Sequence, residues 1–526
     1  MKKHFLLSAF LLSVLLISAN ATISAELDAE KIDSVVQRTM EAFQVPGMAV
    51  CVVENGKTVF SKGYGVRTLG KEEPVNTTTN FAIASNSKAF TCVCLGILVD
   101  EKKISWDDKV TDYIPEFRLY SPFVTEEFTI RDLLCHRSGL GLGAGDLMIF
   151  PDSGDYSIDD VIHNMRYLKP VSSFRAKYDY DNLLYIIAGE VVTRVSGMNW
   201  EDFIEKRIMQ PLGMDRSASH YTRLTGENAE NMVSPHGVIE GNLIIMDRYK
   251  QRVVGAAGGI YSNVEDLAKW QNMLLHRGKY GENLDKQLIS PEVRDEIWKP
   301  QTIMGGGMPR DIYDTHFNCY ALGFRVNDVK GEYQVGHTGG VPGIWTELIM
   351  LPKRNVGIIV LTNQQVSEAF RAVTNSVKDM YLDIQFDWVE DLATKFNDKK
   401  KNAREVEEKV WQDVESRQKE NEGQKIDLAA FAGNYKDPWF GEVEIGEKDG
   451  QLHFVSKRSA KMSGTMFPYK GQTMIVKWAD REMEADAYVI FELDYQGKTV
   501  GFKMAPVSPL VDFSWDYQDL NFSRAK

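Results

Sequence analysis

The chain has 526 residues, with 61 basic and 74 acidic side chains and a formal charge of −13. Hydrophobic residues make up 43% and charged residues 26%, an ordinary globular composition that excludes a disordered, collagenous or coiled-coil chain. The length asks for two or three domains, and the acidic balance speaks against a nucleic-acid binder, which needs a basic face.

The first element is a targeting signal. Lys2 and Lys3 precede an apolar run from Phe5 to Ile17, and Ala19-Asn20-Ala21 follows as a cleavage site. Residues 1–21 read as a secretory signal peptide, too short to span a bilayer. No cysteine follows closely enough to carry a lipid, and no later run is long and apolar enough for a membrane helix. An exported protein is expected, periplasmic or secreted. Its five cysteines, Cys51, Cys92, Cys94, Cys135 and Cys319, leave at least one free thiol. Their apolar settings predict small buried hydrophobes, with no disulfide framework and no zinc site.

Residues 22–390 read as the main domain. Met48–Val53, a turn at Glu54–Lys57 and the alternating Thr58–Lys62 predict a hairpin. A helix is predicted from Ser85 to Asp100, a buried strand at Val356–Leu361 and a helix at Val366–Phe386. Gly305–Gly307 reads as a flexible loop. Residues 391–425 are rich in charges of both signs and predict a solvated helical linker. From 426 to 526, short alternating runs such as Glu442–Ile445, Leu452–Val455 and Ala487–Glu492 predict a small all-β domain, a barrel or sandwich. Trp439, Phe440, Trp478 and Trp515 are expected in its core.

Three short stretches carry chemistry. In Ser85-Asn86-Ser87-Lys88, positions i and i+3 share a helix face, so the amine of Lys88 can take the serine proton. The plain alternative is a capping serine and a solvated lysine. In Tyr180-Asp181-Asn182, a phenol near a cation can act as general base and Asn182 can hold the lysine or a substrate amide. A second such stretch, Tyr261-Ser262-Asn263, reads instead as a helix start, with Ser262 or Asn263 as N-cap and Glu265 completing a capping box. In His337-Thr338-Gly339-Gly340, the glycines let a substrate lie against a strand edge whose N–H groups can hold an oxyanion. Taken alone, each stretch has an ordinary structural explanation.

Together, in this order, they resemble the three motifs of the class C β-lactamase-like serine hydrolases, which include penicillin-recognising enzymes, esterases and D-aminopeptidases. Further stretches fit over roughly residues 30–390, among them Val45–Val50, Thr129–Leu134 and Gln210–Met214. The tail from Phe431 looks like the lipocalin-like domain often appended to this family. The resemblance implies an α/β (α+β) serine β-lactamase-like fold, an antiparallel sheet flanked by helices, plus the C-terminal barrel.

It also implies roles. Ser85 is the expected nucleophile, and Lys88 and Tyr180 share the general-base role. Asn182 positions Lys88 and substrate, while His337, Thr338 and Gly339 bind substrate. The N–H groups of Ser85 and Gly340 form the oxyanion hole. No cofactor or metal is called for. The expected partner is a small-molecule ester, amide or acyl donor. One departure is His337, where penicillin-specialised members carry lysine to meet a carboxylate; neutral histidine pulls less on an anion. The leading expectation is an exported serine hydrolase working through an acyl-serine. The alternatives are acyl transfer to an alcohol or amine, and a β-lactamase or non-turnover penicillin sensor. The barrel would carry a ligand or cap the site.

Overall fold

Strand Gly47–Glu54 is buried almost throughout because both of its faces are covered. Met48, Val50 and Val52 join Ile32, Val36, Phe370 and Val373 of helices Ala29–Phe43 and Ser367–Leu382. Ala49, Cys51 and Val53 join Phe90 and Trp270 of helices Ser87–Asp100 and Val264–Leu275. The two-residue period of a strand thus sorts one apolar run into two cores. Asn55 and Gly56, both at positive φ, turn the chain into strand Lys57–Gly65, as a two-residue hairpin loop requires.

The computed structural model describes residues 27–304, 312–420 and 427–525. The signal-peptide reading and the Gly305–Gly307 loop lie outside them. The main sheet is antiparallel and eight-stranded. Its spatial order is Lys57–Gly65, Gly47–Glu54, Val356–Thr362, Ile344–Leu351, Glu332–Val341, Arg325–Val329, Asn318–Tyr320, Thr302–Ile303. Phe90 stacks on Trp270 with ring centroids 3.7 Å apart, joining the two helices beneath the sheet. All five cysteines are buried and free.

The charge-rich stretch is a helix, Trp388–Glu420. It is not wholly solvated: Val410 and Val414 are buried against Ile475 and Val507 of the C-terminal domain. That domain is a closed eight-stranded antiparallel barrel running from Gly433 to Arg524. Trp439, Phe440 and Trp478 are buried in it, and Trp515 packs partly buried against the same core. The barrel docks on the segment after residue 140. Asn164 Nδ2 donates to Trp439 O (2.9 Å), Tyr156 donates to Phe440 O, and Arg458 pairs with Asp155 (2.6 Å) and Asp160 (3.0 Å).

Candidate active site

Ser85 sits on a single 3-10 turn, Ala84–Asn86, that feeds directly into helix Ser87–Asp100. It is therefore neither inside the helix nor its side-chain cap. Ala84 has φ +47°, a left-handed conformation that costs a residue with a Cβ about 1–2 kcal/mol. The neighbouring strands hold it there. Asn86 Nδ2 donates to Thr346 Oγ1 (2.9 Å), and Thr346 donates to Ile83 O (3.2 Å).

Lys88 lies in the first turn of the helix and is fully buried. Its Nζ bonds Ser85 Oγ (3.0 Å), Asn182 Oδ1 (2.8 Å) and Ala257 O (2.9 Å). Burial lowers the ammonium to about 7, opposed by Asp146 and Asp181 and assisted by Arg325.

Tyr180 and Asn182 reach the same point from the start of helix Leu183–Ser196. The cap is neither of them: Asp181 Oδ1 accepts from Leu183 N (2.9 Å) and Leu184 N (3.4 Å). This frees the Asn182 amide to bridge Lys88 and Asp146 Oδ2 (2.7 Å). The Tyr180 ring lies 4.8 Å from Lys88 Nζ, and its hydroxyl is within reach of Ser85. Burial raises the phenol well above its ordinary value, so it stays protonated at neutral pH. At the second Tyr-x-Asn, Asn263 caps helix Val264–Leu275 by accepting from Asp266 N (3.1 Å). Glu265 is not its box partner; it accepts from Thr77 (2.6 Å).

His337, Thr338, Gly339 and Gly340 lie along strand Glu332–Val341. Strand Arg325–Val329 pairs with residues 332–336 and goes no further, so on that side residues 337–341 have no ladder partner among the described residues. Gly339 backs onto the Ser85 turn: a Cβ there would stand 2.1 Å from Ile83 O. His337 is buried. Its Nδ1 faces Thr338 O (2.5 Å), which can only accept, so Nδ1 carries the proton and Nε2 accepts from the Tyr320 hydroxyl (2.9 Å). Burial, followed by the charges of Arg325 and Lys88, holds the ring neutral.

Three further residues join the site, of which only His136 lies in a stretch that fits the family resemblance. His136, at φ +55°, packs 4.3 Å from the Tyr180 ring and accepts from Asp181 N through Nδ1 (3.1 Å). Arg325 begins the strand beside His337 and lies within reach of the Tyr178 hydroxyl. Phe513 arrives from the barrel, 5.8 Å from Tyr180. Only the closed fold brings them together.

A Beta-lactamase family model matches residues 32–379, and a model of a domain of unknown function (DUF3471) matches residues 417–524. Unguisins hydrolase ungD' of Aspergillus campestris is 28% identical over 435 residues, covering 78% of this chain and 76% of that protein. Protein flp of Staphylococcus aureus is 25% identical over 346 residues, covering 64% of this chain and 63% of that protein. Among solved structures, the octameric penicillin-binding protein homologue from Pyrococcus abyssi shares the fold over 94% of this chain and 99% of that one. Its TM-score is 0.59 at 20% identity.

Proposed function

The chain belongs to the Beta-lactamase family, and we propose that it is an exported serine hydrolase that cleaves an ester or amide through an acyl-enzyme on Ser85. The observation that carries this reading is the lysine. Lys88 is buried, bonded to Ser85 Oγ at 3.0 Å and lowered to about 7. Near neutral pH a large fraction of it is neutral and can accept the serine proton.

The proton path follows from the same geometry. Ser85 Oγ attacks the carbonyl and its proton passes to Lys88 Nζ. Tyr180, held protonated, hands a proton to the leaving group and recovers one through Lys88. Water then attacks the acyl-serine by the reverse route. The N–H groups of Ser85 and Gly340 stabilise the oxyanion, and the unladdered strand edge at 337–341 lets the substrate backbone lie alongside. Asn182 holds Lys88 through its amide oxygen.

A dedicated β-lactamase is a poorer fit. His337 is neutral and both its nitrogens are engaged inside the protein, so it offers no charge to a carboxylate. Arg325 is the cation on that side and is the group to meet an anionic substrate end. The acyl-transfer reading has one observation in its favour. Leu142, Val171, Leu510 and Phe513 leave apolar surface exposed around the loop beside Tyr180, which suits an apolar acceptor or acyl group.

The test is a fluorophosphonate probe on the mature protein and on Ser85→Ala, read by intact mass. A single adduct on the wild type, mapped to Ser85 and absent from the mutant, is expected. A folded wild type that takes no adduct overturns the reading.

A further inference from the structure

The bond chain from Ser85 through Lys88 does not end at Asn182. Asn182 Nδ2 donates to Asp146 Oδ2 at 2.7 Å. Asp146 is fully buried, and its other oxygen has no hydrogen-bond partner among the described residues. The residue before it, Gly145, donates its N–H to Asp516 Oδ2 of the barrel at 2.5 Å. Asp516 is itself fully buried, and its second oxygen accepts from Gln518 Nε2 at 2.6 Å. Two residues earlier, Gly143 is pressed on the barrel as well: a Cβ there would stand 2.6 Å from Phe513 O.

This arrangement decides which way the Asn182 amide faces. A carboxyl oxygen can accept from the amide nitrogen in either protonation state, because a proton on Asp146 has the unpartnered Oδ1 to occupy. The nitrogen end of Asn182 is thereby pinned to Asp146 and the oxygen end to Lys88. Turning the amide over would set two acceptors face to face at Asp146 whenever that carboxyl is ionised, and two donors at Lys88 whenever the lysine is charged.

We propose that Asp146 is a positioning residue for Lys88, and that the C-terminal barrel, through Asp516, holds Asp146 in place and so completes the active site. The inference rests on the roles given above to Ser85 and Lys88. Besides Asn182, Asp146 and Asp181, the groups around Lys88 are Cys92 on its own helix, Arg325, the neutral His136 and His337, and the rings of Tyr180 (4.8 Å) and Tyr185 (5.4 Å). Asp146 faces Asp181 from the Asn182 segment and Asp512 and Asp516 from the barrel.

The experiment measures p-nitrophenyl ester turnover and Ser85 acylation across pH for the full chain and four variants. Asp146→Leu removes the acceptor at similar size. Its acylation rate is expected to fall roughly 100-fold while KM stays within about threefold. Its pH–rate midpoint should move to lower pH, since an Asn182 free to turn its nitrogen toward Lys88 disfavours the ammonium. Asp146→Asn keeps an acceptor and should recover the rate to within about tenfold of wild type. Asp516→Ala should lose about tenfold, with its midpoint moved the same way. Tyr495→Ala, on the exposed outside of the barrel, should behave as wild type.

Asp146→Leu or Asp516→Ala with wild-type rate and midpoint overturns the inference. So does Asp146→Asn falling as far as Asp146→Leu, the mark of a packing role. If Asp146→Leu does not fold, Asp146→Asn and Asp516→Ala decide between the same outcomes. A wild type that never acylates Ser85 removes the hydrolase reading itself; one that acylates while these variants do not respond removes only this inference.

Discussion

Phe513 of the barrel stands edge-on to Tyr180 of the main domain, with ring centroids 5.8 Å apart and planes at 78°. Two domains separated by a 33-residue helix thus meet at the phenol beside Ser85. Phe513 is 38% exposed, so one edge packs on Tyr180 while another stays open to solvent. Phe513→Ala is expected to change selection by acyl size. The kcat/KM ratio of p-nitrophenyl octanoate to p-nitrophenyl acetate should shift by about tenfold, the scale of a few apolar contacts in a pocket. An unchanged ratio would place the acyl chain elsewhere.

Lys88 sets the pH dependence. Its folded value is lowered to about 7, so the ammonium dominates below that pH and the free amine above it. Only the amine can take the Ser85 proton. The acylation rate should rise with pH through about 7 and then level off. Lys88→Met should remove this rise and cost about 10²–10⁴ in kcat/KM. Stopped-flow acylation between pH 5 and pH 9 checks both; a flat wild-type profile would contradict Lys88 as base.

Gly339 is needed for space. Its φ is unremarkable, but a Cβ would stand 2.1 Å from Ile83 O and 2.7 Å from Thr346 Oγ1. Those atoms belong to the backbone and side chains that hold the Ser85 turn, so they cannot simply move aside. Gly339→Ala should cost about 1–3 kcal/mol of stability, as overpacking does, and lower Ser85 acylation by displacing the turn. Urea unfolding together with probe labelling reads both effects.

Asp132 braces the segment leading to His136. Its carboxylate is fully buried and bonds Arg137 Nε (2.7 Å), Arg175 Nη2 (2.6 Å) and the Thr129 hydroxyl (2.7 Å) in a capping box. Burial alone would raise its pKa, but Arg175 and Arg137 hold it below the ordinary 3.8. Because the folded value lies below the unfolded one, its contribution is full above the unfolded value. It is lost as pH falls from there through the folded value. Asp132→Ala leaves two guanidinium groups without their shared partner. It should cost about 3 kcal/mol at neutral pH, near the low end for buried pairs since Arg175 is partly exposed. Thermal melts of both proteins at pH 7 and pH 3 check the loss and its narrowing in acid.

The local elements of this fold were readable in the chain. The hairpin at 47–65, the helix beyond Ser85, the strand at 356–362 and the alternating β tail all carry periodicity or turn residues that act over a few positions. The same holds for Ser85 and Lys88, whose i, i+3 spacing brings them together across the 3-10 turn and the first helical turn. What the periodicity missed was burial of the charged helix: Val410 and Val414 are too few among its charges to announce a buried face, yet the barrel covers them.

The capping of helix Leu183–Ser196 was also hidden. Asp181 and Asn182 are both good caps, and only the position of Lys88 decides that Asp181 takes the helix N–H groups and Asn182 the lysine. By itself, the sequence determined the local elements, the all-β character of the tail and the i, i+3 spacing of Ser85 and Lys88, since periodicity and spacing are local properties; the fold class came with the family resemblance. The tertiary structure alone decided that both nitrogens of His337 are engaged inside the protein, that Arg325 stands near it, that Asp146 bonds Asn182 and Asp516 the neighbouring Gly145, and that Phe513 packs on Tyr180. Those outcomes depend on burial and on contacts between segments as many as 371 positions apart, and no local pattern encodes the electric environment that distant residues create.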